Sequence, residues 1–398
     1  MNRRALWPLW PRKQRILRLG DQGEPVAKLQ ERLQSLGYGV GAVDGVYGFL
    51  TEDSVCILQR EFGLKVDGIA GPQVMELLQD PSLRVGNGAC EIWGATWEDS
   101  SGEVRWKPPE TMVEALDGLL IYCFSLAENG DIAGDVSQAT YSMATSQQLQ
   151  LVPVISNLHE DIYDELALEN LLRHNQVRHR FLDTVSRLVS DAGIHGIAVD
   201  LQKVGMGYGR RFVALMQEVR KIIDHSHKKM YMVLVPANGR GGNILPRMID
   251  NRIWRTLPDR VILYAPREHV TQTPGPKLGV QWLQTQFQRT RRHLPAWKLM
   301  VMLPIDSIVW RIEGNLREYR YLSYDDARKL AWQKQAKISR DAEEGVSYYD
   351  FLDEEGRSRV WFENRDSIRP KLTWLKRQHV AGLVFIPIGG EDPRIWQL

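Results

Sequence analysis

Asp200 and Gln202 stand two residues apart at the end of the run His195-Gly-Ile-Ala-Val-Asp-Leu-Gln202. In an extended chain that spacing sends both side chains to the same side. The pair offers a carboxylate, able to carry charge or hold a proton, beside a primary amide that can donate two hydrogen bonds and accept at its oxygen. It offers no general acid at the second position, because an amide releases no proton at any useful pKa. Two carboxyls near the ends of later apolar runs, Glu268 and Asp306, are the available replacements for an acid. Three widely spaced cysteines, Cys56, Cys90 and Cys123, show no zinc-type pairing. Neither a metal nor a cofactor is expected.

To aim such a pair into a cleft, the run must be a buried strand between helices. Gly193 and Gly196 bound it on one side. Phe181, Val185, Leu188 and Val189 before it, and Phe212 to Ile222 after it, have helical apolar spacing. Helix, strand, helix is the unit of a parallel α/β sheet, in which function sits at the carboxyl ends of the strands. From residue 90 on, eight strand candidates alternate with helices: 90–96, 118–126, 149–156, 194–201, 230–236, 260–265, 298–304 and 382–388. Their number and spread predict a (β/α)8 barrel over 90–398, with a small α+β insertion at about 311–366. Within the insertion, 346–352 and 357–362 read as a hairpin closed by Asp353-Glu-Glu-Gly356. An open doubly wound sheet is the alternative, but the first strand–helix junction has no glycine-rich phosphate loop.

Ahead of the barrel, residues 17–79 predict a small all-α domain of three helices. Val26, Leu29, Leu33 and Leu36 share one helical face, Thr51 is placed to cap the second helix, and Asp44-Gly45 and Asp67-Gly68 mark tight turns. Residues 80–89, with Pro81, Gly86 and Gly88, read as a linker, and 1–16 as a tail. In that tail Pro8 and Pro11 interrupt the apolar stretch, so no usable signal peptide is expected, and no stretch is long enough for a membrane span. Of 398 residues, 43% are apolar and 25% charged, as in ordinary globular proteins, and a net charge of +2 gives no case for nucleic acid as partner.

Residues 17–78 resemble the peptidoglycan-binding domain of the first type through Val26-x-x-Leu29-Gln30-x-x-Leu33, Gly37-Tyr38, Asp44-Gly45-x-Tyr47-Gly48-x-x-Thr51, Leu58-Gln59 and Asp67-Gly68-x-Ala70-Gly71-Pro72. The resemblance implies a wall-binding module whose signature residues are Asp44, Gly45, Tyr47, Gly48 and Thr51, most of them scaffold. The barrel resembles glycoside hydrolase family 18, within its spore-germination and cortex-lytic N-acetylglucosaminidase branch. That family carries Asp-Gly-x-Asp-x-Asp-x-Glu on its fourth strand, with the last Glu as proton donor. Here Gly196 and Asp200 are kept, while His195, Ala198 and Gln202 replace the other marked residues. On the sixth strand Pro266 and Arg267 stand for the Tyr and Asp that hold the substrate's acetamido group, unless Tyr264 substitutes through a shift of two residues. Ile386 replaces a Trp floor, and Asp306 a Tyr.

The resemblance implies peptidoglycan, or another glycan containing N-acetylglucosamine, as partner. Trp93, Asn157, Tyr264, Arg267 and Trp361 are its candidate contacts in the barrel. Asn157 can equally fix a loop, and Asp200 can pair with Arg267 instead of touching sugar. Trp332 and Trp374, on barrel-region helices, read as packing residues. Three readings follow. The first is an inactive or impaired glycan-binding homologue in the cytoplasm, cell wall or spore envelope. The second is an active N-acetylglucosaminidase using Glu268 or Asp306, and the third a structural spore-layer protein.

Overall fold

The chain divides into two units, Met1–Ala89 and Cys90–Leu398. A computed structural model describes residues 16–36, 38–80, 90–98, 114–159, 162–205, 207–236, 251–266, 275–313, 316–354 and 356–398. Most of the expected tail and linker, together with Arg267 and Glu268, lies outside the described residues.

The first unit contains α1 (Glu24–Ser35), α2 (Phe49–Glu61) and α3 (Pro72–Gln79). Val26, Leu29 and Leu33 are fully buried on one face of α1, as their spacing requires. Leu17 pairs with Ala70 through two backbone hydrogen bonds of 3.2 and 2.8 Å, which closes the N-terminal segment onto the start of α3. Thr51 does not cap α2. Gly48 is the N-cap, with no side-chain cap bond, and Thr51 lies inside the helix.

The second unit is a closed barrel of eight parallel strands: β1 (Glu91–Trp97), β2 (Gly118–Leu126), β4 (Gln150–Ser156), β7 (Gly196–Asp200), β8 (Lys229–Leu234), β9 (Arg260–Tyr264), β10 (Leu299–Pro304) and β16 (Gly382–Ile386). All lie within two residues of their expected bounds. Pairing of β1 with both β2 and β16 closes the ring. Short strands β3 (Ile132–Ala133), β5 (Leu158–His159) and β6 (Ile162–Tyr163) decorate the strand ends. Outer helices are α4 (Gln138–Ser146), α5 (Glu165–Arg173), α6 (Asn175–Val189), α7 (Gly209–His225), α8 (Asn251–Thr256) and α9 (Val280–Arg291).

Alternation along the strands splits the core in two. One set, including Leu120, Val154, Ala198 and Met302, fills the lumen, and the other packs beneath the helices. Phe181, Val185 and Val189 repeat every four residues on α6 and are all buried there. Cutting Phe181 to Ala costs about 3–5 kcal/mol in lost transfer energy and cavity. Gly196 sets the approach of β7 to β8: a Cβ at that position would sit 2.4 Å from the Lys229 carbonyl oxygen. The register that carries Asp200 to the strand end therefore depends on a glycine at its start.

Between β10 and β16 the insertion forms a five-stranded antiparallel sheet in the order β12-β11-β15-β14-β13. Its strands are β11 (Ser307–Glu313), β12 (Leu316–Leu322), β13 (Ser339–Arg340), β14 (Ser347–Asp353) and β15 (Gly356–Phe362), and α10 (Tyr324–Gln333) covers one face. The insertion begins at Ser307, earlier than the expected 311, because β11 leaves β10 almost at once. Helix α11 (Arg365–Lys376) returns the chain to β16. Trp374 packs against Phe287 with ring centroids 5.1 Å apart, as a packing residue should. Trp332 does the opposite: it is 82% exposed on α10, so the packing expectation fails there.

Candidate functional site

Carboxyl ends of the barrel strands gather a group of polar side chains around Asp200, which is buried at the end of β7. Its Oδ1 accepts from Gln202 Nε2 at 2.8 Å, and its Oδ2 from the Tyr122 hydroxyl at 3.3 Å. The Tyr163 hydroxyl reaches both oxygens, at 3.3 and 3.2 Å. Each donor comes from a different place: β2, the short β6, and the residue two beyond Asp200 itself. Burial pushes the Asp200 carboxyl up to about 6, against the lowering pull of bonds from Gln202, Tyr163 and Tyr122. Burial, reinforced by the Asp200 charge, raises both tyrosine hydroxyls, so they remain protonated donors. Tyr264, at the end of β9, interacts electrostatically with both tyrosines and lies partly buried against the lumen cluster. Trp97, at the end of β1, packs on Tyr122 with ring centroids 5.6 Å apart.

Gln202 is buried and both of its amide hydrogens are engaged, one by Asp200 and the other by the Val233 carbonyl at 2.9 Å. It braces β7 against β8. Asn157 is fully buried and its side chain fixes the loop. Its Oδ1 accepts from the Gln202 backbone N–H at 2.9 Å, and its Nδ2 donates to the Gln202 and Asp164 carbonyls at 3.0 and 2.8 Å. Asp164 in turn caps α5 through Ala167 at 2.9 Å. The strand end, the residue that follows β6 and the start of α5 are thereby one hydrogen-bonded unit. Tyr163 stands in β6, and nothing in the sequence around it signals a contact 37 residues away.

Other expected contacts lie elsewhere. Trp93 faces inward but low in the barrel, fully buried against Tyr231 at 5.4 Å and bonded to Glu91 at 2.8 Å, so it has no face to offer a ligand. Trp361 is buried in the insertion against Tyr348, with centroids 5.0 Å apart, and among the described residues its indole N–H has no hydrogen-bond partner. Asp306 is buried beyond β10, and its Oδ2 pairs with Lys277 at 2.7 Å. Ile386 closes the lumen as an aliphatic residue. Among the described residues no group of three His, Cys, Asp or Glu side chains is placed to hold a metal ion.

In the first unit three of the signature residues, Gly45, Tyr47 and Thr51, are buried, while Asp44 is exposed and Gly48 half-buried. Gln30 donates to Asp44 Oδ1 at 3.0 Å, to the Val46 carbonyl at 3.0 Å and to Thr51 Oγ1 at 3.1 Å, and accepts from the Gly45 N–H at 2.9 Å. Gln59 repeats the design on the second turn, donating to Asp67 Oδ1 at 2.8 Å and accepting from the Asp67 and Gly68 N–H groups at 3.0 and 2.9 Å. Gly45 and Gly68 have φ of 71° and 69°, the left-handed region such turns need. Tyr47 is fully buried, with its hydroxyl on the Gly68 carbonyl at 2.9 Å. Tyr47, Gly45 and Thr51 therefore support the turn and present no surface. Asp44 and Gly48 flank it, and both Asp44 side-chain bonds given by Gln30 and Val46 stay within the turn.

Residues 124–389 match the model of glycosyl hydrolases family 18, and residues 22–78 the model described as "Putative peptidoglycan binding domain". The chain is 23% identical over 272 residues to the "Putative sporulation-specific glycosylase YdhD" of Bacillus subtilis (strain 168), covering 66% of this chain and 63% of that protein. It is 46% identical over 67 residues to the N-acetylmuramoyl-L-alanine amidase CwlM of Mycobacterium tuberculosis, covering 17% of this chain and 16% of that one. It thus spans less than two thirds of the length of either relative. The crystal structure of the Bacillus cereus spore cortex-lytic enzyme SleL superposes with a TM-score of 0.65 at 17% identity, covering 96% of this chain and 85% of that one.

Proposed function

This chain belongs to glycosyl hydrolases family 18, and we propose that its barrel holds an N-acetylated glycan without cleaving it, on a wall to which the first unit fixes it. One observation carries the reading. At the position of the family's proton donor stands a buried amide whose two hydrogens are both bonded inside the protein. General-acid catalysis is typically worth ~10²–10⁴-fold in rate, and Gln202 supplies none of it. What survives is recognition chemistry. Hydroxyls of Tyr122 and Tyr163 and a carboxyl at Asp200 suit an acetamido group and sugar hydroxyls, beside Trp97 as a flat partner.

Anchoring to peptidoglycan follows from the module match, and the names of the relatives suggest the spore envelope as the place. Among the described residues no helix is long and apolar enough to cross a membrane. A replacement acid at Asp306 lacks support, because Lys277 already claims that carboxylate. The deciding experiment measures two things on the full chain: release of reducing sugar from peptidoglycan and from chito-oligosaccharides, and calorimetric binding of the same oligosaccharides. Binding with no turnover is expected. Turnover that disappears in Glu268→Gln or Asp306→Asn would overturn the proposal and identify the acid.

A further inference from the structure

The exposed indole of Trp332 stands at a cavity of about 490 Å³ formed where α10 ends, lined by Arg328, Ala331, Gln333, Gln335, Ala336 and Ile338. Helix α10 has already spent its apolar face: Ala327 and Ala331 are buried with Val309, Tyr349, Val360 and Phe362 of the sheet. Trp332 is not part of that packing. An indole 82% exposed forgoes most of the burial that usually retains a tryptophan, so its place at a concave surface calls for a ligand.

We propose that this cavity is a second glycan-holding site, on the side of the insertion sheet that carries α10 and separate from the barrel lumen. The inference takes its ligand class, a β-linked N-acetylated oligosaccharide, from the function proposed above. The chemistry of the lining agrees. A flat aromatic face suits the C–H face of a pyranose ring. Arg328 sits four residues before Trp332, hence one helical turn away on the same face, and Gln333 and Gln335 add amides at the rim. Among the described residues none of these three side chains makes a hydrogen bond or ion pair. Ala331 and Ala336 are the small residues of the lining and leave the indole face beside them unobstructed by long side chains of their own. The one charged group is a cation, which favours a neutral or anionic glycan over a basic peptide.

The test uses the full chain labelled with 5-fluorotryptophan and titrated with a hexamer of β-1,4-linked N-acetylglucosamine, followed by fluorine NMR. Trp332 is assigned from Trp332→Phe and Trp97 from Trp97→Phe. We expect the Trp332 signal to move saturably, and Gln335→Ala or Arg328→Ala to weaken that titration. Arg328→Ala should weaken the Trp332 titration about tenfold, leaving the Trp97 titration unchanged. Because Arg328 is exposed, this variant keeps the fold. A Trp97 signal that moves while Trp332 stays still overturns the second site and leaves the lumen reading intact. The reverse result supports the second site and overturns the lumen reading. Stillness of both overturns both. Movement of Trp332 with protein concentration alone marks a contact between copies and likewise overturns the glycan assignment.

Discussion

Each of the two units is organised around a buried glutamine, and the two glutamines hold different things. In the module, Gln30 ties Asp44, Gly45, Val46 and Thr51 into one rigid turn. In the barrel, Gln202 ties Asp200 to β8 and, through its backbone, to Asn157. Three of the module's signature residues, Gly45, Tyr47 and Thr51, are buried scaffold, and beside them Val43 and Val46 of the turn and Phe49 at the start of α2 are exposed apolar residues. At the barrel mouth the signature residue is part of the site itself. A resemblance in the first unit therefore speaks for fold, whereas a departure in the second speaks directly about chemistry.

The sharpest way to break this comparison is Gln30→Leu. Removing the amide strands the buried Gly45 N–H and deprives Val46 and Thr51 of their donor. Each unsatisfied buried group costs about 1–3 kcal/mol, and we expect a total loss on the order of 4 kcal/mol. Hydrogen exchange in 22–78 of the full chain should rise steeply, with exchange in the barrel strands unchanged. Protection that survives in the module would mean the turn is held by its glycines alone.

Asp200→Asn gives the next largest effect, and it appears as a pH slope. With a folded-state value of about 6 against the ordinary 3.8 of an aspartate, the native state holds its proton more tightly than the unfolded chain. That stabilisation is complete below about 4 and is lost as pH rises through 6. That difference corresponds to about 3 kcal/mol. Stability of the wild-type barrel, read from denaturant midpoints, should therefore fall between pH 4 and 6.5, and the slope should vanish in Asp200→Asn. A slope of equal size in the variant would place the titration elsewhere.

How much of this was legible beforehand depended on whether parity or height was in question. Strand parity is written in alternation, so eight strands and the inward direction of Asp200, Tyr264 and Trp93 follow from sequence. Height along the barrel is not. Trp93 and Trp97 share a parity, yet one is sealed against Tyr231 and the other lies partly exposed beside Tyr122. The hairpin β11–β12 went unread because Arg311, Glu313, Arg317 and Glu318 give it the look of a solvated stretch, although Ile308 and Trp310 are buried on its inner face. Tyr163 was invisible because a two-residue strand has no periodicity.

Gln202→Glu sharpens the barrel side of the comparison. A second carboxyl would sit where the amide now lies 2.8 Å from Asp200 Oδ1 and 2.9 Å from the Val233 carbonyl. Two such carboxyls share one proton, and ionising both is opposed by charge repulsion. The variant should lose about 2 kcal/mol of stability between pH 5 and pH 8. Hydrolysis of chito-oligosaccharide should stay undetected, because Ile386 and Pro266 do not restore the groups that position the acetamido oxygen. Turnover near that of an active family member would show that the amide was the sole defect.

The smallest effect is expected from Tyr163→Phe, and its dependence on pH is the informative part. The hydroxyl donates to both Asp200 oxygens at 3.3 and 3.2 Å, and its bond lowers the Asp200 carboxyl from where burial alone would put it. Without it the folded-state value rises further. Below about pH 4, where Asp200 is protonated in both folded and unfolded chains, little of the ion-specific loss is expressed. Above about 6, where the native carboxylate is ionised and one donor short, we expect a loss of about 1 kcal/mol, the usual net worth of one hydrogen bond. The denaturant midpoints of wild type and variant should therefore coincide at pH 4 and separate by pH 8. A constant offset at all pH values would assign Tyr163 to packing of the short strand β6. Divergence at high pH would assign it to the carboxylate, and so to the same polar group that Gln202 completes.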